Sequence, residues 1–325
     1  MELRQRTRRF GGRIIACALI LRLLSGGLPA KVVSWLTGPS AAELLIFLET
    51  GRYVRFSASS EKRWLHTAES PPPMSEGPLP VFRREDSVSV TYSCSARPVL
   101  EDLVALPLRW NLVRQEPTVL ILHTHTTESY SGEMYTSSGE YRTLEEEYNM
   151  LSVGEEVARI LKEQGISVIH DRTLHDYPSY NSAYNHARKS TRKLLEENPS
   201  IQLVLDLHRD ASESGQSQLR TLAQVNGEPS AQLMLVIGTD AGGLSHEKWE
   251  ENLSLALKLQ LQLERRAPGI TRPISLRSQR FNQDLSAGAL LVEVGAAGNT
   301  RAEAITAARE LALAIVDLSR GTGES

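Results

Sequence analysis

Short apolar runs along the chain alternate with stretches whose apolar positions recur every three or four residues. Val119-Leu-Ile-Leu122, Ile166-Ser-Val-Ile169, Leu203-Val-Leu-Asp-Leu207, Leu233-Met-Leu-Val-Ile237 and Leu290-Leu-Val-Glu-Val294 are brief and bounded by polar or turn residues, which predicts buried strands. Met150, Val153, Val157, Ile160 and Leu161 share one helical stripe that Gly165 ends. A second helix is expected from about Ser182 to Glu197, stopped near Pro199. Trp249, Leu253, Leu257 and Leu261 mark a third, which stops at Pro268-Gly269. Thr300-Arg-Ala-Glu303 is a capping box. It opens a last helix with Ile305, Ala308, Leu311, Ala312 and Ile315 facing inward. Strands alternating with helices predict an α/β fold, a mainly parallel sheet flanked by helices on both faces.

The pattern changes upstream. Ser87-Val-Ser-Val-Thr-Tyr92 alternates with a period of two, as a half-exposed edge or bridging strand would. Ser70 to Pro80 is rich in proline and polar residues and reads as a semi-rigid spacer. At the start, Arg4, Arg6, Arg8, Arg9 and Arg13 precede Ile14-Ile-Ala-Cys-Ala-Leu-Ile-Leu21, the pattern of a signal anchor. Arg22 interrupts it, but extension to Trp35 reaches the ~20 residues a bilayer needs if Arg22 snorkels. Residues 1–38 are therefore expected to be a basic head and an uncleaved single-pass membrane anchor, 39–84 a helical and proline-rich linker, and 85–320 the catalytic domain. The positive-inside tendency places that domain outside the cytoplasm.

Composition narrows the chemistry. The 325 residues are 41% hydrophobic and 23% charged, as a folded protein with a core would be. A formal net charge of −3 gives no reason to expect nucleic acid as partner. The two cysteines, Cys17 and Cys94, form no CxxC pair, so any metal must be held by His, Asp or Glu.

Three predicted strands end in groups foreign to a core: His123 and His125, then His208-Arg209-Asp210, then Glu293. Carboxyl ends of parallel strands lie on one edge, so these groups converge if the strands are neighbours. Two imidazoles and a carboxylate are a common catalytic zinc set, with a further carboxylate as general base. Read as strand residues, His123 and His125 point to the same face. His123, nearer the strand, is the favoured ligand, with His125 an equal candidate. The carboxylate ligand is Glu145 or Glu128. Glu293 inside Leu-Leu-Val-Glu-Val is costly to bury unless paired or used. It is the expected general base, with Arg209 either its partner or a stabiliser of the oxyanion.

His123-Thr-His-Thr-Thr-Glu-Ser-Tyr130, Asn149-Met-Leu-Ser-Val-Gly154, Leu205-Asp-Leu-His-Arg-Asp-Ala211 and Leu291-Val-Glu-Val-Gly295 with Asn299-Thr300 together resemble stage II sporulation protein P. That family consists of membrane-anchored cell-wall hydrolases of endospore formers. The likeness covers roughly residues 85–320. It implies a fold similar to zinc-dependent N-acetylmuramoyl-L-alanine amidases, and peptidoglycan as substrate. It implies cleavage of the lactyl amide and within the stem peptide during forespore engulfment, with stage II sporulation proteins D and M as partners. It puts the family's histidines on His123 or His125 and on His208, and its late glutamate on Glu293. Spacing to Asn149 selects Glu145. The rivals are a non-catalytic peptidoglycan-binding scaffold, which has no need of the full His/His/Glu set, and an amidohydrolase of small N-acyl amino acids, which needs no tether.

Overall fold

The computed structural model describes residues 88–108, 110–131, 141–211, 213–214 and 217–321. The expected anchor and linker lie outside these residues. Among the described residues no helix is long and apolar enough to cross a membrane.

Seven strands form one sheet: β1 (Val90–Tyr92), β2 (Val119–Leu122), β3 (Val168–His170), β4 (Leu203–Asp210), β9 (Leu233–Gly238), β10 (Ile274–Arg277) and β11 (Ala289–Ala296). Their order is β1-β10-β9-β11-β4-β2-β3. Every neighbouring pair is parallel except β9 with β11. The sheet thus has two parallel blocks of opposite direction, which simple alternation of strand and helix did not foresee. The cause lies between β4 and β9. There, among the described residues, the chain makes two ribbons, β5–β6 (Glu213–Ser214, Ser217–Gln218) and β7–β8 (Leu222–Val225, Glu228–Ala231), and no helix. It therefore re-enters the sheet at the edge where β4 left it. Asn226-Gly227 turns the second ribbon with φ of 51° and 84°, the left-handed pair that a type I′ turn requires.

Four helices cover one face: α1 (Leu100–Ala105), α2 (Met150–Glu163), α4 (Trp249–Arg266) and α5 (Arg301–Gly321). Each apolar stripe predicted for α2, α4 and α5 is buried there against alternate strand residues such as Leu203, Leu205, Leu207, Leu290 and Val292. The other face carries a single long helix, α3 (Ala183–Glu197). Its Ala187, Leu194 and Leu195 pack on Leu120, Leu122, Val204 and Ala289. Beyond the reach of α3, Met234, Val236 and Leu291 form a small separate cluster with Phe281. This incompletely covered face is where the polar strand ends come together.

Candidate functional site

Strand parity decides which side chains meet. On β4, Leu203, Leu205 and Leu207 enter the four-helix core, so Val204, Asp206 and His208 face α3. On β11, Leu290, Val292 and Val294 enter that core, so Ala289, Leu291 and Glu293 face α3. Glu293 is in register with His208 on the neighbouring strand, and the two stand abreast on one face.

His123 and His125 do not share a face, contrary to the strand reading. Regular pairing ends at Leu122 and residues 124–127 turn. Thr126 Oγ1 donates to His123 O at 2.8 Å, and Glu128 N–H donates to His125 O at 3.2 Å. His123 keeps the parity of Ile121 and enters the four-helix side, where its Nε2 lies 2.9 Å from His170 Nε2 and its Nδ1 3.1 Å from Leu207 O. A methyl group on Gly154 of α2 would come within 2.5 Å of that ring. His125, carried by the turn, swings to the α3 side and faces His208, with ring centroids 5.3 Å apart.

The result is a cavity of about 210 Å³ lined by His125, Glu128, His208, Arg209 and Glu293, with Tyr180 and Tyr184 beside them. Glu128 is buried, and its Oε2 stands 3.8 Å from His208 Nδ1. Glu145 is exposed and does not line the cavity. Arg209 is buried. Its Nε donates to Ser129 O at 3.0 Å and its Nη2 to Tyr141 O at 3.1 Å, which ties down the segment bearing Glu128.

Behind each imidazole of the cavity lies a carboxylate that sequence reasoning passed over. Asp206 Oδ1 is 3.0 Å from His208 Nε2, and the same side chain accepts from Thr124 N–H at 2.7 Å and Thr124 Oγ1 at 2.6 Å. Asp176 Oδ2 is 4.0 Å from His125 Nδ1. An acid inside the apolar run Leu203 to Leu207, two residues from His208, carried the same signal as Glu293. Tyr180 stacks on His125 at 4.1 Å with an interplanar angle of 18°, and Arg142 lies 3.7 Å from the same ring centroid. Groups that close to one ring occupy its two faces. Nothing in the local sequence announced this stack.

The electrostatics favour a cation. Burial opposes charge on His208, yet Asp206, then Glu128 and Glu293, outweigh it and push the imidazole up to about 10. Burial, then the His208 charge, pulls His125 down to about 3, so it stays neutral as a ligand must. Burial raises Glu128 and pushes Glu293 up to about 8. His125 Nδ1, His208 Nε2 and Glu293 Oε2 are buried without a hydrogen-bond partner, so Asp206 meets His208 Nε2 at 3.0 Å as an ion pair and not in hydrogen-bond geometry.

His125, His208 and Glu128 are donors of the types that zinc accepts. Asp206 sits behind Nε2 of His208, which leaves Nδ1 turned to Glu128, the carboxylate–histidine arrangement that orients a ligand. Their 3.8 Å separation is close to the ~3.4 Å between donors on a tetrahedral ion bound at about 2.1 Å. Among the described residues no group of three or more His, Cys, Asp or Glu side chains stands close enough together to hold a metal ion as placed; these groups line an open cavity.

The family model of stage II sporulation protein P matches residues 58–316. The chain belongs to that family. Stage II sporulation protein P of Bacillus subtilis (strain 168) is 28% identical over 207 residues, which are 60% of this chain and 49% of that protein. The chain thus spans about half the length of that relative. Among solved structures, it is similar to an N-acetylmuramoyl-L-alanine amidase from Clostridium difficile 630, with 19% identity, 65% of this chain and 100% of that chain covered, and a TM-score of 0.39. It is also similar to an N-acetylmuramyl-L-alanine amidase from Mycobacterium smegmatis, with 14% identity, 65% and 99% coverage, and a TM-score of 0.38. The family match takes in every residue that lines the cavity.

Proposed function

We propose that this chain is a zinc-dependent amide hydrolase that cuts peptidoglycan during sporulation, at the lactyl amide, within the stem peptide, or at both. The observation that carries the reading is Glu293, abreast of His208 and lining one cavity with His125 and Glu128, in a chain of the stage II sporulation protein P family. His125, His208 through Nδ1, and Glu128 would hold the metal, with His123 set aside on the other face of the sheet. Zinc in such a site supplies Lewis acidity, polarising the carbonyl and making water nucleophilic near neutral pH.

Glu293 takes the proton of the attacking water and passes it to the leaving amine nitrogen. Burial supports this role, since a carboxyl with its pKa raised to about 8 holds a proton as readily as it releases one near neutrality. Arg209, fixed by two backbone carbonyls, offers positive charge to the oxyanion. The family resemblance extends the reading to an anchor in residues 1–38 that holds the domain on the outer side of the cell membrane, and to stage II sporulation proteins D and M as partners.

The test is digestion of purified peptidoglycan with and without chelator, with products identified by mass. Release of stem peptides with a free amino terminus marks the lactyl amide, and new amino groups inside the stem mark endopeptidase action. Digestion that ignores the chelator, or that proceeds normally in Glu293→Gln, would refute the mechanism. Binding to cell wall with no release despite added zinc would favour the scaffold.

A further inference from the structure

The cavity has a second pole. Across the sheet, its lining passes from Glu293 on β11, over Leu291 and Val236, to Arg277 on β10, with Phe281 beside this apolar floor. Arg277 is exposed, and its Nε donates to Ser275 Oγ at 2.9 Å. Ser275 is in register with Val236, and Val236 with Leu291, so the guanidinium is tied back over the floor.

Nearby arginines are spoken for: Arg272 pairs with Asp210, while Arg188 and Arg280 pair with Asp284. Arg277 has no carboxylate partner among the described residues. A planar fork with one nitrogen fixed and the others turned to a cavity matches a carboxylate in two-point contact.

The distance to the hydrolytic pole follows from sheet geometry. β10 lies two strands from β11, about 10 Å at ~4.8 Å per strand, and the Leu291 row lies two residues, about 7 Å, before Glu293. Arg277 itself is in register with Gly238, two residues beyond that row, and its tie to Ser275 brings the fork back to it, so the two poles stand roughly 12 Å apart, about three to four residues of extended peptide.

We propose that Arg277 is a specificity-determining residue that binds a carboxylate of an acidic peptide about three to four residues from the scissile amide. This rests on the cavity being the site of peptidoglycan cleavage. The apolar floor then takes a small side chain between the two poles.

The test is binding, so that it does not depend on turnover. The full chain carrying Glu293→Gln, with zinc present, is titrated with N-acetylmuramoyl-L-Ala-D-Glu-diaminopimelic acid and with the same molecule after its carboxylates are converted to primary amides. A two-point charged contact predicts the acid form binding about 10- to 100-fold tighter than the amide form. Adding Arg277→Gln brings that ratio close to one while leaving affinity for the amide form unchanged. Arg277→Lys, which keeps the charge and loses the fork, restores only part of the ratio. A ratio that persists in Arg277→Gln, an equal loss for both probes, or no measurable binding of the acid form would each overturn the assignment. Should Glu293→Gln still hydrolyse the probe, the mechanism proposed for Glu293 fails, while the ratio of affinities still decides the role of Arg277.

Discussion

Asp206→Asn changes a single charge and barely alters volume, so its cost separates the two jobs of this buried acid. The first is local: Asp206 accepts from Thr124 N–H and Thr124 Oγ1, and a neutral acceptor weakens those charge-assisted bonds by about 1 kcal/mol at any pH. The second is its pairing with His208, pushed up to about 10 against 6.5 for an ordinary imidazole. A histidine whose folded pKa is raised contributes stability that is fully present below about pH 6.5 and is lost as pH rises through about 10. The whole rise corresponds to at most about 5 kcal/mol, shared among Asp206, Glu128 and Glu293, and Asp206 is the largest of the three raising influences. Its share is about 2–3 kcal/mol. In chelator-treated protein, Asp206→Asn is therefore expected to lose about 3–4 kcal/mol near pH 6, a drop in Tm of roughly 6–16 °C at about 2–4 °C per kcal/mol. Near pH 10.5 the loss shrinks to the Thr124 part, about 2–4 °C. Thermal unfolding followed by circular dichroism at both pH values reads the difference. Equal losses at the two pH values would show that Asp206 serves only Thr124, and the carboxylate–histidine pair would have to be given up.

The other expected outcomes follow from the same geometry. Glu128→Gln is expected to weaken zinc binding by at least tenfold in a chelator competition, whereas Glu145→Gln, on an exposed side chain, leaves it unchanged; the reverse result would move the ligand to Glu145. Glu293→Gln abolishes peptidoglycan digestion and keeps zinc. Because the folded pKa of Glu293 is raised to about 8, wild type is penalised increasingly as pH climbs from about 4.5 to 8, so the metal-free Gln variant gains about 2–4 kcal/mol over it across that window; a flat difference in Tm with pH would contradict the burial of this charge. Gly154→Ala places a methyl 2.5 Å from His123 Nε2 and 2.6 Å from His170 Nε2, and overpacking of about 1–3 kcal/mol is expected in denaturant unfolding, whereas Gly227→Ala meets nothing within 4 Å and is expected to cost only the left-handed strain of about 1–2 kcal/mol at φ 84°.

The periodicity of the chain carried most of the fold. The predicted strands at Val119, Leu203, Leu233 and Leu290, and the helices that follow, all appear near their expected bounds because their apolar pattern is also the pattern of burial. The reversal of β9 against β11 was less legible, since direction depends on what joins two strands. Even so, Asn226-Gly227 between two alternating stretches was a readable hairpin signal. In the site, His208 and Glu293 could be placed because both sit within regular strands, where parity holds. His125 could not, because the chain leaves the strand after Leu122 and a turn redirects the side chain. Asp206 was legible on the reasoning applied to Glu293. Tyr180 and Arg142 were not, because Arg142 over Tyr180 and Tyr180 on His125 join three segments through contacts that no local pattern encodes.

The reversed block has a consequence for the site. In a sheet covered evenly on both faces, the floor beside Glu293 would lie under a helix. Here α3 packs on β2, β3, β4 and the start of β11, and among the described residues the chain between β4 and β9 supplies ribbons and no second helix for that face. Met234, Val236 and Leu291 are left to Phe281, which arrives on the segment after β10. That segment holds Phe281 and Asn282 at φ of 50° and 59°, a left-handed pair that costs non-glycine residues about 1–2 kcal/mol each. It is held by Asn282 Nδ2 donating to Tyr184 O at 2.9 Å, and by Arg188, which bonds Asn282 Oδ1 at 3.3 Å and Asp284 at 2.8 Å. All of these contacts join the segment to α3, the helix that carries Tyr184 against His208. The strained turn therefore couples the wall of the hydrolytic pole to the floor leading to Arg277, and among the described residues no helix lies over the length of cavity that a peptide would need to reach both.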